Sequence, residues 1–243
     1  MIQLIGHSGC FVYLYDGIVR KVSSSLDYNH RLISQMNKQI NFSHPIIRTP
    51  SIMSSGYNKD GRFYFDMKYI RGYSMSKVFT NQSIKVGMKV LEKLMSFEQK
   101  TLIDISSNVK EKIDSLSIDT HDKNIIMSCD WNVKDGYCHG DMTFENIIVA
   151  DEEVYLIDFL DSFADAPIVD HAKILQDSFC YWSFGEGHIP KRKLLSVCDM
   201  FDTKEHYCML LLHLHRIIPY ANASTKEKVL CMMSRVRQKI SRY

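Results

Sequence analysis

Asp141, Asn146 and Asp158 are the residues whose types and spacing best suit phosphoryl transfer from a nucleotide. Asp141 follows a His-Gly pair, Asn146 comes five positions later, and Asp158 ends the apolar run 154–157. One carboxylate can orient an attacking hydroxyl and accept its proton, while a second carboxylate and an amide oxygen can hold Mg²⁺, which prefers oxygen ligands. Each residue alone would more often shape a turn or cap a strand. The three in this order favour the catalytic interpretation.

A β-hairpin is the element that must position these side chains. Apolar runs at 146–149 and 154–157 flank a short acidic turn and predict two paired strands. Asp141 would then lie in the loop before the first strand, Asn146 at the start of that strand and Asp158 at the end of the second. Because a hairpin brings those ends together, we predict that the three side chains converge on one small volume.

The segment His139-Gly-Asp-Met-Thr-Phe-Glu-Asn146, with Ile157-Asp158-Phe159, resembles the catalytic and metal-binding loops of the aminoglycoside phosphotransferase and choline kinase-like family. These enzymes are small-molecule relatives of the protein kinases. The motif-level match covers only these short segments, although the order of β-rich and helical regions agrees along most of the chain. The resemblance implies that Asp141 is the catalytic base and that Asn146 and Asp158 are Mg²⁺ ligands.

Three further residues have supporting roles by the same resemblance. Asp161 would assist a second metal, with the cap of a turn as an equally good alternative. Asp170, just before a predicted helix, resembles the carboxylate that braces the catalytic loop, and a helix N-cap is a compatible interpretation. His139 is expected to brace the loop by hydrogen bonding.

The resemblance also implies an ATP site in the first 70 residues. Gly6 and Gly9 stand in a turn before a strand, where backbone N–H groups could approach phosphates, although an ordinary turn would contain the same glycines. Lys21 occupies the position of the phosphate-binding lysine on the next strand. Backbone groups from Met67 to Tyr69 are expected at the adenine edge, in a hinge that is also a plain interlobe linker.

The lysine assignment leaves two questions open in the sequence. Arg20 stands beside Lys21, and strand alternation sends the two side chains to opposite faces without saying which face is buried. Protein kinases pair this lysine with a Glu on the following helix, but the predicted helix 26–42 contains no Glu. Gln35 or Gln39 is the alternative at that position.

The predicted fold is α+β and bilobal, resembling the protein kinase-like fold. Residues 1–70 form a β-rich nucleotide-binding lobe, and residues 71–243 form a mainly helical catalytic and acceptor-binding lobe. A hairpin is expected around Asp16-Gly17 because this dipeptide favours a tight turn. The basic run 191–193 is expected to be a solvated turn. Helices after the first lobe are predicted at 83–101, within 106–128, and at 168–184, 203–219 and 223–240.

Composition narrows the environment and partners. The chain has 30 Lys plus Arg against 28 Asp plus Glu, a net charge of +2 that argues against a nucleic-acid partner. No apolar run approaches the ~20 residues of a transmembrane helix. Seven scattered Cys without a Cys-x-x-Cys pair indicate reduced thiols, and hence a cytoplasmic protein. The oligomeric state stays open.

The predicted function is ATP- and Mg²⁺-dependent transfer of the γ-phosphate to a hydroxyl of a small molecule. A sugar or an amino alcohol is the expected acceptor, with envelope polysaccharide metabolism as one use that the resemblance suggests. A protein Ser/Thr kinase is an alternative, disfavoured because the motif is His-Gly-Asp and no Ala-Pro-Glu follows Asp158. A catalytically degenerate nucleotide-binding protein is another alternative, favoured by the missing helix Glu.

Overall fold

The computed structural model describes residues 2–4, 9–184 and 189–243. Gly6 therefore lies outside the described residues. The chain divides into two compact units, the first made of Met1–Met75 with Glu145–Asp161 and the second of Ser76–Phe144 with Ser162–Tyr243. The first unit thus contains the predicted hairpin around 147–156 in addition to the N-terminal region.

Antiparallel strands form the main sheet of the first unit, in the order β1-β2-β3-β6-β5. Asp16 and Gly17 connect β2 to β3 and both have positive φ, 46° and 75°, as a type I′ hairpin turn requires. The predicted hairpin is confirmed. The strands are β1 Ile2–Leu4, β2 Cys10–Tyr15, β3 Ile18–Ser23, β5 Ile52–Tyr57 and β6 Phe63–Lys68.

Helix α1, Asn29–Asn41, packs against this sheet and confirms the helix predicted over 26–42. Its apolar positions recur at helical spacing, so that one face is apolar. Leu32 from this face is fully buried with Phe63 and Phe65 of β6 in the core of the first unit. The helix is thereby fixed to the strands that carry Lys21 and Met67.

A second, smaller sheet of the first unit contains the predicted catalytic hairpin, in the order β4-β11-β10-β7. Asp151 and Glu152 connect β10 to β11, with φ of 48° and 66°, so this turn repeats the geometry of the first hairpin. The prediction of paired strands here is confirmed. The strands are β4 Ile47–Arg48, β7 Tyr73–Ser74, β10 Ile147–Ala150 and β11 Glu153–Leu156.

The second unit is mainly helical. Asp119, Thr203 and Asn222 precede α5, α8 and α9, and each side chain accepts a backbone N–H of the first turn, which explains where those helices begin. The helices are α2 Met75–Asn81, α3 Ile84–Met95, α4 Ser106–Asp114, α5 Thr120–Met127, α6 Pro167–Ser178, α7 Lys191–Met200, α8 Lys204–Ile217 and α9 Ala223–Ile240.

Two predictions for the second unit are wrong. The helix predicted over 83–101 ends at Met95, and Glu98–Asp104 forms strand β8, paired with β9 at Asn132–Gly136. The pairing joins segments about thirty residues apart, which local periodicity does not reveal. The basic run 191–193 begins α7 instead of a turn, and the Lys193 ammonium donates to the Phe79 and Gln82 carbonyls at 2.7 Å, satisfying groups near the end of α2.

Helix α8 runs through the core of the second unit, with its residues from Tyr207 to His215 buried. It packs against α6 and α9. Across the described ranges, no helix combines the length and the apolar character needed to cross a membrane. The core of this unit holds α6 firmly, and α6 carries several side chains of the candidate site.

Candidate active site

Lys21 lies on β3 with its side chain turned into the first unit. The side chain is 6% exposed, and its ammonium forms an ion pair with the Asp158 carboxylate. Arg20 takes the opposite face, where its guanidinium donates two 2.7 Å hydrogen bonds to Asp66 and lies over the Tyr64 ring. Because side chains alternate along a strand, Lys21 lies on the face that carries Asp158, and Arg20 lies on the other face.

The charge on Lys21 depends on Asp158. Burial lowers the pKa of the Lys21 ammonium, but the Asp158 carboxylate outweighs this and the pKa is raised. Asp158 keeps 28% of its side chain exposed. The lysine is thus buried and charged, while its partner still faces solvent.

Asn146 and Asp158 stand at the same end of the catalytic hairpin. The Asn146 carbonyl accepts a 3.0 Å hydrogen bond from the Ile157 amide, one residue before Asp158. Asp158 has φ of 64°, in the left-handed region that Asp tolerates better than most residues. Their role as metal ligands stays a prediction. Asp141 belongs to the second unit, so the convergence of all three also stays a prediction.

Helix α1 does not provide the partner of Lys21. Gln35 donates from Nε2 to the Tyr28 hydroxyl at 3.1 Å, and Gln39 donates from Nε2 to the Pro50 carbonyl at 2.8 Å. Both amides bind other groups of the first unit. Lys21 is instead oriented by Asp158 itself.

Asp161 is held by the same helix. It accepts a 3.0 Å hydrogen bond from the Ser34 hydroxyl, and the neighbouring Leu160 carbonyl accepts one of 2.9 Å from the Lys38 ammonium. Helix α1 therefore fixes the segment that follows Asp158. This contact gives Asp161 a structural role, and its assistance to a second metal stays a prediction.

Part of the backbone that is predicted to contact the nucleotide already pairs with other backbone groups of the protein. Met67 is buried in β6, between Val19 of β3 and Ile52 of β5. The Tyr69 amide donates to the Gly17 carbonyl at 2.8 Å. An adenine contact at 67–69 would therefore use other backbone groups of this stretch, and it stays a prediction.

Gly9 has a packing reason of its own. A Cβ at this position would lie 2.5 Å from the Tyr28 ring, and the Gly9 carbonyl accepts hydrogen bonds from the backbone and side chain of Ser24. The tight contact with Tyr28 requires glycine whether or not a phosphate binds nearby.

Asp170 braces the loop that contains Asp141, the predicted catalytic residue of the second unit. Its carboxylate is 1% exposed and accepts the His139 amide at 2.5 Å and the Gly140 amide at 2.9 Å. Gly140 has φ of 94°, a conformation that favours glycine. His139 is buried and its Nδ1 accepts the Asp141 amide at 3.3 Å. These are the contacts that the sequence predicts for a bracing carboxylate and a bracing histidine.

Asp141 itself contacts Lys173, a residue of α6 that the sequence interpretation did not select. The Lys173 ammonium lies 3.0 Å from Asp141 Oδ1. Burial raises the pKa of Asp141, but the positive charges of Lys173, His139 and Arg216 outweigh burial, with Lys173 the largest, and the pKa is lowered. The carboxylate is therefore ionised at neutral pH.

A second carboxylate of α6, Asp177, holds the other end of the loop. It accepts the Phe144 amide at 2.5 Å and the Ser183 amide at 2.8 Å. Asp170, Lys173 and Asp177 follow one another at intervals of three and four residues, so they share one face of α6. That spacing is the sequence signal that could have identified Lys173 and Asp177.

Solved structures of aminoglycoside phosphotransferases are similar to this chain. A thermostable APH(4)-Ia in complex with ADP and hygromycin B has a TM-score of 0.65 and 11% identity, covering 99% of this chain and 92% of that chain. The GDP and kanamycin complex of APH(2")-IIia has a TM-score of 0.64 and 11% identity, covering 99% and 93%.

No protein-family model matches the chain, and the search of curated proteins finds no match. The fold therefore rests on the structural likeness together with the α+β organisation of the chain. This structural likeness confirms the fold that was predicted from the His-Gly-Asp and Ile-Asp-Phe motifs. The chain has the fold of the aminoglycoside phosphotransferases, which is a protein kinase-like fold.

Proposed function

We propose that this protein transfers the γ-phosphate of ATP to a hydroxyl of a small molecule. The observation that carries the proposal is the ion pair between buried Lys21 and Asp158, which are 137 positions apart. The family resemblance in the sequence selected both residues, one as a phosphate-binding lysine and the other as an Mg²⁺ ligand. A buried ammonium beside a solvent-facing carboxylate is the arrangement that a phosphate–metal site needs.

The residues present fit ATP and Mg²⁺. Asp158 and Asn146 offer carboxylate and amide oxygens, the donors that a hard cation prefers, and they would hold Mg²⁺. When bound, Mg²⁺ neutralises negative charge on the phosphates. Lys21 would bind the α- and β-phosphates. Structures with this fold contain ADP, AMP-PNP or GDP, which supports a nucleotide as the phosphate donor.

Asp141 would act on the acceptor. Its ionised carboxylate can accept a hydrogen bond from the attacking hydroxyl, orient it and take its proton. The Asp170 contacts to the loop backbone keep this side chain in place. Because little covalent chemistry falls to the protein, positioning and electrostatics would supply most of the rate.

For the acceptor we propose a neutral or anionic sugar, with an amino alcohol as the other class. The Lys173 and Arg216 cations that influence Asp141 disfavour a polyamine at this carboxylate. This would separate the protein from the hygromycin B and kanamycin complexes of its structural neighbours. A phosphorylated sugar would fit envelope polysaccharide metabolism.

A screen of ATP consumption across sugars, choline, ethanolamine and aminoglycosides tests the proposal. We expect turnover with one acceptor class, and an Asp141→Asn variant that loses about 10²- to 10⁴-fold in kcat while still binding ATP, since it removes only the general base. Asp130→Asn, an exposed carboxylate in the same unit, is the matched control. Normal turnover in Asp141→Asn would contradict the assignment.

A nucleotide-binding protein without catalysis is the second candidate, because α1 contains no Glu to pair with Lys21. Thermal unfolding with and without ATP and Mg²⁺ separates the candidates, since a ligand that binds only the folded state raises the unfolding temperature. A shift without turnover on any acceptor would favour this second function. No shift at millimolar ATP would contradict both nucleotide-binding functions.

A further inference from the structure

Lys173 is a largely shielded cation in the middle of a core helix. Its side chain is 13% exposed, and α6 around it is formed largely by buried residues such as Ala172 and Ile174. Removing an ammonium from water in such surroundings has a desolvation cost, which an ion pair only offsets. An apolar residue would pack here at no such cost, so stability alone does not account for a lysine.

The partner of Lys173 is the predicted catalytic carboxylate. Its Nζ lies 3.0 Å from Asp141 Oδ1, and the Asp141 side chain is 24% exposed. Two other charged or titratable groups influence Asp141, His139 from its own loop and Arg216 from α8. Arg216 is engaged with His213 Nδ1 at 2.9 Å and with the Phe163 ring. Lys173 is a cation in direct contact with the carboxylate.

Lys173 also stands one turn after Asp170 on the same helix face. Asp170 fixes the loop backbone through the His139 and Gly140 amides, and Lys173 fixes the side chain that the loop presents. One rigid helix therefore determines both where the loop runs and which way its carboxylate points. Contact with a cation on a rigid helix restricts the rotamer of a short carboxylate side chain.

We propose that Lys173 is a positioning residue for the phosphoryl transfer proposed above: it holds the Asp141 carboxylate in one orientation and in its charged form for the acceptor hydroxyl. The inference rests on the proposed function for its catalytic consequence. The ion pair itself can be tested without any turnover. Lys173 acts through Asp141 and is not required to touch the substrate.

Titration of the Asp141 carboxyl by carbon-detected NMR is the first test. Asp141→Asn assigns the resonance by its disappearance. In Lys173→Met we expect the Asp141 midpoint to move to higher pH, because burial then acts without its main opposing charge. Lys173→Arg keeps the charge and should titrate near wild type. Lys123→Met, which breaks the exposed pair with Asp114, should leave Asp141 unchanged.

Turnover with the acceptor found by the screen is the second test. We expect Lys173→Met to lower kcat about 10- to 100-fold, as misplaced catalytic groups do, and to move the acidic limb of the pH–rate profile upward, with KM for ATP little changed. Lys173→Arg should recover part of the rate. A lysine with a merely structural role would leave the pH profile where it is.

The outcomes separate this inference from the proposed function. An unchanged Asp141 titration in folded Lys173→Met would overturn the inference, as would equal losses of turnover in the Met and Arg variants with an unchanged pH profile. If Lys173→Met does not fold, the neutral Lys173→Gln variant, which keeps a hydrogen-bond donor, decides by the same titration. Failure of wild type to turn over any acceptor would overturn the proposed function and its catalytic consequence, while the titration still decides the ion pair.

Discussion

Two kinds of cation-bound carboxylate occur among the described residues, and they differ in how far the side chain is removed from solvent. Asp122 is fully buried, and it accepts two hydrogen bonds from Arg237, at 2.7 and 2.6 Å, and one of 2.7 Å from His215. Asp158 and Asp141 each have one lysine partner and keep 28% and 24% of their side chains exposed.

This difference distinguishes a carboxylate that stabilises the fold from one that a ligand could reach. Asp122, His215 and Arg237 bind one another and connect α5, α8 and α9, so they stabilise the second unit. Asp158 and Asp141 are each in contact with a lysine and remain partly exposed to solvent. A charged group that is shielded and paired but still reachable from solvent is a candidate for contact with a ligand.

The largest effect is expected from Lys21→Met in the open pair of the first unit. Loss of the ammonium should abolish most of the unfolding-temperature shift produced by ATP and Mg²⁺, and it should lower turnover at least about 100-fold, as removal of a preorganised electrostatic donor does. Arg20→Met, one residue away on the opposite face, is the control and should retain the shift. Equal loss in both variants would contradict the distinction between the two faces.

A smaller effect, on stability and not on nucleotide binding, is expected from Asp122→Asn in the closed network. The variant leaves Arg237 and His215 without their carboxylate, and it should lower the free energy of unfolding by about 3 kcal/mol in chemical denaturation. Asp114→Asn, which breaks the exposed pair with Lys123, should cost less than about 1 kcal/mol.

The same network has a definite pH window. Burial raises the pKa of Asp122, but His215 and Arg237 outweigh burial and lower it to about 2 from an ordinary value near 3.8. Its contribution is therefore present above about pH 4 and is lost as the pH falls toward 2. An Asp122→Asn variant should lack this part of the acid transition. An equally steep transition in wild type and variant would show that the network is not the group that titrates.

An effect on stability comparable to that of Asp122→Asn is expected from a contact between two neutral side chains, the buried pair His171 and His206. Their facing nitrogens are 3.2 Å apart, and Glu98 and Lys134 lie beside them. Burial lowers the pKa of His206 to about 4. The folded state therefore prefers the neutral ring, and stability should decline as the pH falls from about 6.5 to 4.

We expect this decline to reach about 3 kcal/mol, because the pKa of His206 lies about 2.5 below its ordinary value and each pKa unit corresponds to about 1.4 kcal/mol. Comparing wild type with His206→Leu across this pH range measures it, because the variant removes the buried ring that titrates. The variant should show a flatter dependence of the free energy of unfolding on pH. An identical slope would assign the decline to other groups.

Local signals made much of this fold predictable. The Asp16-Gly17 turn and the acidic turn between β10 and β11 are short-range features with strong backbone preferences, and both hairpins form as predicted. The strand pair β8–β9 was missed because its stability comes from segments far apart in sequence. Helix α7 was missed because its first turn is a basic run, which resembles a solvated loop until its lysine is seen to satisfy the carbonyls at the end of α2.

For the candidate site, the sequence likewise indicated some residues and missed others. Motif spacing identified Asp141, Asn146 and Asp158, and the brace at Asp170 has the contacts expected of it. Sequence alternation could not choose between Lys21 and Arg20, because it gives the two faces and not which of them is buried. Lys173 was not predicted as a site residue because a lysine on a helix is ordinarily solvated. Its low exposure and its contact with the Asp141 carboxylate, which only the structure shows, indicate its role.

The three anchors on α6 have a consequence for motion. Asp170, Lys173 and Asp177 span about two helical turns, and between them they hold loop atoms at His139, Gly140, Asp141 and Phe144. In hydrogen exchange, the amides of His139, Gly140 and Phe144 should therefore open with α6 as one cooperative segment instead of fraying as a surface loop does. The candidate catalytic loop is therefore expected to move as an extension of a core helix.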